Sequence, residues 1–438
     1  MKNSVGIAML GCGVVGSGVL RLLDANSQTL PKRIGAKLEL RHIVVQDTSK
    51  KRDVSINKQL LGNDPEAAIT DPNVDLVIEL MGGLEPARSL ILQAFDHGKS
   101  VVTANKALIA EHGHELVEKA ASVKKDLYFE AAVGGGVPII RILREALAGD
   151  QVIGLRGIVN GTSNYMLSQM RAQHIDFDLA LKQAQEAGYA EADPALDVGG
   201  GDAAHKLAIL ATMAFAAKVT AKDILTEGIQ TIAAIDMQFA ERFGYVIKHL
   251  AIARLNDEGK IDLRVHPALI AKDSDLASVN GALNAVHIEA KGLGPCMISG
   301  YGAGSLPTAV SVMGDTVDVA RNVCNNSAGM VPTWGIANDA IEQKALQAMG
   351  EHEGCYYLRF SVTDRPGVLA QIAGILGEHN VSIKQIVQEG VASGSSKPVD
   401  VVILTHVALE KNLTAALAQV DKLDTILAPS HRIRIVNE

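Results

Sequence analysis

Short apolar runs punctuate the first 140 residues at intervals that suit a layered α/β fold. "VGIAML" (5–10) is apolar throughout, the pattern of a strand buried on both faces. "GCGVVG" follows it, and "SGVLRLLDANSQ" then reads as a helix. "LELRHIVVQD" (38–47), "VDLVIELMGG" (74–83), "SVVTANK" (100–106) and "LYFEAAVGGGVPII" (127–140) repeat the strand signal, and "PARSLILQAFDHG" the helical one. Strands and helices alternating in this order predict an α/β, doubly wound parallel sheet of Rossmann-like type, with helices on both faces.

The pattern changes near residue 150. "VIGLRGIVNGTSNYML" predicts a strand, a turn and a helix start, and alanine-rich helices are expected from there to about 255. "IDLRVHPALI" and "AVHIEA" predict strands of a more antiparallel sheet, giving an α+β domain. "ISGYGAGSLPTAVSVMGDTVDVARNV" (298–323) reads as a glycine loop and a long helix returning to the first domain. Beyond an irregular polar stretch, the tail from 356 reads strand, helix, strand, strand, helix, strand: a ferredoxin-like βαββαβ unit expected to stand alone. The expected domains are 1–130, completed by 300–345, then 131–299 and 355–438.

Composition narrows the function. The 438 residues are 47% hydrophobic, enough for several cores. Aromatic residues make up 3%, with one tryptophan, Trp334, and the net charge is −8. Both argue against a nucleic-acid partner. Cys12, Cys296, Cys324 and Cys355 form no CxxC pair, which removes support for zinc or redox motifs. The apolar start lacks a signal-peptide cleavage site, and no apolar run reaches the ~18 residues of a membrane span, so no membrane partner and a cytoplasmic location are expected.

Gly11, Gly13 and Gly16 fit G-x-G-x-x-G between a predicted strand and a predicted helix. In that context glycines let the backbone approach a pyrophosphate, and the helix start offers unpaired N–H groups; Val14 and Val15 fill the free positions. Asp47 ends the second strand, where an acid holds a ribose hydroxyl and favours NAD. Lys50, Lys51 and Arg52 follow, and either hold the extra phosphate of NADP or form a solvated loop. Cys12 reads as a small apolar residue there.

"GYAEADPALDVGGGDAAHKLAIL" (188–210) places carboxylates ahead of an almost wholly apolar helix. Asp202 and Lys206 are spaced i, i+4 and share a helix face. Either they sit at the floor of a cleft, where a lysine moves protons, or Asp202 is an N-cap and Lys206 its surface partner. Asn160 and Gly161 suit a tight turn, and His205 is expected to pack or face solvent.

This segment, with "TANK", "FEAAVGGGVPII", "GIVNGTSNYML" and "GYGAGSLPTA" in the same order, resembles homoserine dehydrogenase over roughly residues 5 to 325. The resemblance implies oxidation of L-homoserine to L-aspartate 4-semialdehyde with NADP or NAD, reversibly, on the route to threonine, methionine and isoleucine. It implies Lys206 as proton donor, with Lys106 near the reacting centre and the cofactor. Asp202 and Glu191 orient the substrate, Asp197 is a second partner for its ammonium, and Thr162, with Gly161 and Asn164, lines the pocket. Thr103 and Gly304 join the cofactor residues. Glu130, Val133, Gly135 and Val137 match a structural monovalent-cation site, Na+ or K+; the alternative is a plain strand-to-helix loop. A homodimer or homotetramer is expected, with no kinase domain fused upstream.

"VTDRPGVLAQIAGILGEHNVSIKQI" resembles an ACT domain. Asp364 and Gly367 stand at a strand-to-helix loop whose N–H groups suit a carboxylate while the acid suits an ammonium. Asn380 and Ser382 are expected to face the ligand, and L-threonine is the natural effector; alternatively this copy only dimerises. A non-catalytic amino-acid sensor and a dehydrogenase acting at an amine are the competing functions, and neither needs the carboxylate–lysine segment.

Overall fold

The computed structural model describes residues 2–388 and 398–436. Its strands are β1 (Ser4–Leu10), β2 (Lys37–Val44), β3 (Leu61–Gly62), β4 (Leu76–Glu79), β5 (Ser100–Thr103) and β6 (Leu127–Tyr128). Then come β7 (Val152–Ile158), β8 (Leu225–Thr226), β9 (Tyr245–Leu255), β10 (Ile261–Ala271), β11 (Leu283–Ala290) and β12 (Gly294–Tyr301). The tail adds β13 (Glu353–Val362), β14 (Ile383–Gln388), β15 (Val399–Thr405), β16 (Ala408–Leu409) and β17 (His431–Ile435). Three stretches expected as tail strands, "VSIKQIVQEG", "KPVDVVILTHV" and "HRIRIVNE", have ends, at Glu389 and Gly390, Lys397, and Asn437 and Glu438, that lie outside the described residues. The chain divides into two compact units: Met1–Gly161 with Gly201–Ile224 and Ala282–Lys344, and Thr162–Gly200 with Leu225–Gly281 and Ala345–Glu438.

In the first unit a parallel sheet runs β3-β2-β1-β4-β5-β6. β1 pairs with β2 on one side and β4 on the other, so the strand order reverses beside it, the place where such sheets bind ligands. The sheet is buried as its continuous apolar runs require: Val5, Ile7, Met9 and Leu10 are inaccessible to solvent. The helix Ser305–Asn325 supplies Ala309, Val312, Val319 and Ala320 to the same core, although nearly 300 residues separate it from β1. β11 pairs antiparallel with both β12 and β7.

The second unit holds a mixed sheet. β9 and β10 pair antiparallel along their whole length, and β17 pairs parallel to β10 at Ala268↔Arg434 and Leu269↔Ile435. β13, β15 and β14 continue antiparallel from β17. Alternation along these strands sends side chains to opposite faces. Tyr356, Leu358, Phe360, Val401 and Ile403 pack under the tail helices Val368–Glu378 and Glu410–Val420. Tyr357, Val402, Leu404, Ile433 and Ile435 pack instead with Met166, Met170, Met237 and Phe239. The βαββαβ order is present, and its second sheet face is covered by residues from outside the tail.

Two stretches differ from the pattern-based expectation. Residues 245–255, read as the end of a helical region, are the strand β9, buried from Val246 to Ala253. A stretch buried at every position carries no period that separates a strand from a buried helix, and Lys248 and His249 are buried along with its apolar residues. The stretch 127–140, expected as a strand breaking into glycines, is a strand only at Leu127–Tyr128: a 3-10 turn over Glu130–Ala132 ends it before Gly134 and Gly135, whose φ of 70° and 53° lie outside any strand.

Candidate active site

In the first unit the loop after β1 is shaped by its glycines. Gly11 has φ 97°, and a Cβ there would lie 2.6 Å from the Leu80 carbonyl oxygen. A Cβ on Gly16 would lie 2.8 Å from the Gly11 oxygen. Gly13 has no neighbour within 4 Å of that position and starts the helix Val14–Ala25, whose N–H groups have no side-chain cap. That is an open cradle at a helix N-terminus, suited to a pyrophosphate. Val14 is exposed, and Ser305 Oγ donates to its carbonyl at 2.8 Å, so Gly304 is brought beside the same loop.

The loop after β2 is braced by Arg52, which donates to the carbonyl oxygens of Cys12 (3.1 Å), Lys50 (2.8 Å) and Asp47 (2.9 Å). Asp47 accepts from Ser49 N–H and Oγ–H, which hold its carboxyl below the usual range. Lys50 and Lys51 are exposed. At the end of β5, Thr103 Oγ1 donates to buried Glu79 at 2.5 Å, and Glu79 also accepts from Met81 N–H. Asn105 caps the helix Lys106–Ser122 by accepting from Leu108 N–H, which sets Lys106 at its first position. The sequence reading missed Glu79; its signal is an acid closing an otherwise apolar strand.

The same unit contains the carboxylate–lysine cluster. Asp202 is 1% exposed in the first turn of the helix Gly201–Phe215. Lys206, one turn on, donates to Asp202 Oδ2 at 2.7 Å and to the Val159 carbonyl at 2.7 Å. Lys106 pairs with Asp202 Oδ1 from the other side, and its side chain is 37% exposed. Asn160 Nδ2 donates to Asp202 Oδ2 at 2.8 Å, so the residue read as a turn former reaches the cluster. Burial alone would raise the Asp202 pKa, but the two ammonium groups outweigh it and hold the carboxyl well below its ordinary value. Asp202 is therefore a fixed anion between two lysines, one enclosed and one open. His205 lies 4.0 Å from Glu111, and burial lowers its pKa.

Glu130, 2% exposed, accepts from the N–H groups of Ile140 (2.9 Å) and Arg141 (2.8 Å). Burial, with Asp315 adding to it, pushes its carboxyl up to about 7. Gly135 O accepts from Ser311 Oγ, and Val137 O from Ile139 N–H. Among the described residues no group of three or more His, Cys, Asp or Glu is arranged to hold a metal.

In the second unit the helix start at 162–164 is tied to the turn around Asp197. Thr162 Oγ1 donates to Tyr189 O at 2.6 Å and lies 3.4 Å from Asp197 Oδ2. Ser163 Oγ donates to Asp197 O at 3.1 Å. Asn164 Nδ2 donates to the carbonyls of Val279 and Gly281, and buried Lys248 donates to Val279 O at 2.5 Å and Asn280 Oδ1 at 3.1 Å. Glu191 is exposed. In the tail, Asp364 and Gly367 line one hollow with Thr363, Arg365 and Gln388; Asn380 and Ser382 are not in its lining. Gly367, φ 90°, is the N-cap of Val368–Glu378.

The first unit is that of a dinucleotide-binding α/β protein, and the tail has the βαββαβ order of a ferredoxin-like module. The comparisons carry this further. The homoserine dehydrogenase family matches residues 138–317, its NAD binding domain 11–130, and the ACT domain 356–424. The homoserine dehydrogenase of Mycobacterium tuberculosis (strain ATCC 25618 / H37Rv) is 44% identical over 440 residues, 99% of this chain and 98% of that protein. That of Synechocystis sp. is 41% identical over 439 residues, 99% and 100%. The structure of a homoserine dehydrogenase from Thiobacillus denitrificans aligns with TM-score 0.92 at 42% identity, covering 99% of this chain and 98% of that one. A hyperthermophilic archaeal homoserine dehydrogenase in complex with NADPH aligns with TM-score 0.60 at 25% identity, covering 72% and 97%. The chain belongs to the homoserine dehydrogenase family. Among the described residues no helix is long and apolar enough to cross a membrane.

Proposed function

We propose that the chain catalyses the reversible, NAD(P)-dependent interconversion of L-homoserine and L-aspartate 4-semialdehyde, in the cytoplasm, on the route to threonine, methionine and isoleucine. The observation that carries this is the buried Asp202 carboxylate gathering Lys106, Lys206 and Asn160. A dinucleotide supplies hydride transfer at the reacting carbon. The glycine cradle at Gly11, Gly13 and Gly16 fits its pyrophosphate, with Val14, Val15, Thr103, Lys106 and Gly304 as the other contacts. Asp47 suits a ribose hydroxyl, and Lys50 and Lys51 suit a 2′-phosphate, with Arg52 fixing their loop.

In the direction of reduction Lys206 donates a proton to the aldehyde oxygen; in oxidation its neutral amine takes the hydroxyl proton back. Lys106 stabilises charge on the same oxygen. Asp202 holds both lysines in place and favours their charged forms. Glu191 and Asp197 take the substrate ammonium, and Thr162 makes a hydrogen bond to the substrate. Glu130, with the carbonyls of Val133, Gly135 and Val137, fits a monovalent cation: a buried carboxyl with a raised pKa gains from one, and a carbonyl that accepts one hydrogen bond keeps a second lone pair. The tail is assigned L-threonine, held at Asp364 and Gly367, in a homodimer or homotetramer; Asn380 and Ser382 lie beyond the opposite end of the helix Val368–Glu378 and would face the same ligand only from a second copy.

The test is a steady-state assay of L-homoserine with NAD+ and NADP+ separately, with and without L-threonine. Formation of reduced nicotinamide supports the reading; no absorbance change with either cofactor would favour a non-catalytic sensor. Replacing Lys50 and Lys51 together with Ala should weaken NADP+ and spare NAD+. Asp364→Ala should relieve threonine inhibition without lowering the uninhibited rate.

A further inference from the structure

The last strand of the chain carries a buried arginine that the dehydrogenase chemistry does not use. Arg434 on β17 is 2% exposed. It donates to both oxygens of Glu227, at 2.6 and 3.0 Å, and to both oxygens of Glu410, at 3.2 and 2.6 Å. Arg432, two residues earlier and on the same face, reaches Glu410 at 3.0 Å and Glu227 at 3.6 Å. A bidentate guanidinium–carboxylate pair fixes direction as well as distance, so Glu227 is held in one position. Burial alone would raise the carboxyl of Glu227, but the bonds from Arg434 reverse this and hold it below its usual range.

Glu227 lies in the segment beneath the Asp197 turn. Its carbonyl accepts from His249 Nε2 at 2.9 Å. Ile229 N–H, two residues on, donates to Val198 O at 2.9 Å. A Cβ on Gly228 would lie 2.4 Å from Val198 O and 2.8 Å from Gly199 Cα, and one on Gly200 would lie 2.9 Å from Thr226 Cγ2. Residues 228–229 are thus in direct backbone contact with residues 198–199, and the Thr226 side chain packs against Gly200. Asp197 is the next residue of that turn, and Thr162 and Ser163 hold it from its other side. A displacement of Glu227 therefore passes along the chain to Ile229, whose N–H bond to Val198 O ties it to the residue next to Asp197.

We propose that Arg434 is a positioning residue for substrate binding: through its paired bonds to Glu227 it sets the turn that carries Asp197, so the tail strand forms part of the support of the homoserine site. This rests on the assignment of Asp197 to the substrate ammonium. The tail then has a continuous mechanical connection to substrate affinity, from Glu410 on its second helix through Arg434 and Glu227 to residues 198–200.

The experiment uses the full chain with Arg434→Met, Glu227→Gln, Arg434→Lys and, in parallel, Asp197→Asn. Arg434→Met is expected to raise KM for homoserine by about tenfold or more, with kcat changed by less than about threefold. KM for the dinucleotide should stay unchanged, a separation that general loss of structure does not produce. Glu227→Gln should give a smaller shift of the same kind, and Arg434→Lys should recover part of the loss by restoring the charge. If Arg434→Met does not fold, Glu227→Gln decides. If Asp197→Asn raises KM while folded Arg434→Met and Glu227→Gln leave it unchanged, the connection is wrong and the substrate assignment stands. If Asp197→Asn leaves KM unchanged, the assignment itself fails and the proposal falls with it.

Discussion

Lys206 of the first unit and Lys248 of the second are both buried and meet opposite fates. Lys206 is 7% exposed and lies against the Asp202 carboxylate. Lys248 is 3% exposed and donates to the Val279 carbonyl and the amide oxygens of Asn280 and Asn164. Neutral oxygens solvate an ammonium without cancelling its charge, and burial lowers the Lys248 pKa from its ordinary 10.5 to about 8. A carboxylate partner removes most of the reason for such a fall. The first arrangement keeps a lysine beside a fixed anion inside the protein; the second ties a loop and lowers the pKa of its lysine.

Breaking the first arrangement should have the largest consequence. Lys206→Met is expected to lower kcat by at least ~100-fold in the homoserine assay, the scale of general acid–base catalysis, with cofactor affinity retained. Asp202→Asn turns Lys206 into a second Lys248. It leaves two ammonium groups without their shared anion, and loss of one partner from a buried pair costs about 3–5 kcal/mol. Chemical denaturation at neutral pH checks this. The sign with pH follows from Asp202, whose folded pKa lies below the ordinary 3.8. Its contribution is fully present above pH 3.8 and is lost as pH falls through the folded value, so the variant's deficit should shrink in acid.

The contrast also marks what the sequence makes visible. Asp202 and Lys206 were legible because an i, i+4 pair at the mouth of an apolar helix is a local pattern. Gly11, Gly13 and Gly16 were legible for the same reason, as one turn with one geometry. Lys106 came only with the family resemblance, since nearly 100 residues separate it from Asp202 and only the fold brings them together. Lys248 gave no signal: it lies in a buried stretch misread as helix, and its partners on the 279–280 loop follow no spacing rule. The tail's strand order was readable from its alternation. That its second sheet face packs on Met166, Met237 and Phe239 was not, because an apolar strand residue does not declare which element covers it.

Lys248→Met should expose the cost of the second arrangement. A lysine whose folded pKa is lowered penalises the fold fully below about pH 8, and the penalty fades as pH rises towards 10.5, where the unfolded chain also loses the proton. A fall of about 2.5 units corresponds to roughly 3 kcal/mol. The parent should therefore gain up to roughly 3 kcal/mol relative to Lys248→Met between pH 8 and 10.5. Parallel denaturation curves across that window, with no change in the difference, would mean that Lys248 keeps an ordinary pKa.

The smallest expected effect comes from giving Lys248 the partner that Lys206 already has. Asn280 Oδ1 lies 3.1 Å from the Lys248 ammonium, and its own Nδ2 donates to Ser278 O. Asn280→Asp places a carboxylate at that distance with almost no change in shape. It loses the Ser278 bond, worth about 1 kcal/mol, and gains a hydrogen bond between charged groups worth about 1.5–3 kcal/mol. The net should be a stabilisation of about 1 kcal/mol at pH 7, read as a shift of the denaturation midpoint. Asn280 is exposed, so the new carboxylate stays hydrated and its own burial cost is small. The gain should also vanish in Lys248→Met, where there is no ammonium to pair; a stabilisation that persists there would come from the loop and not from the lysine.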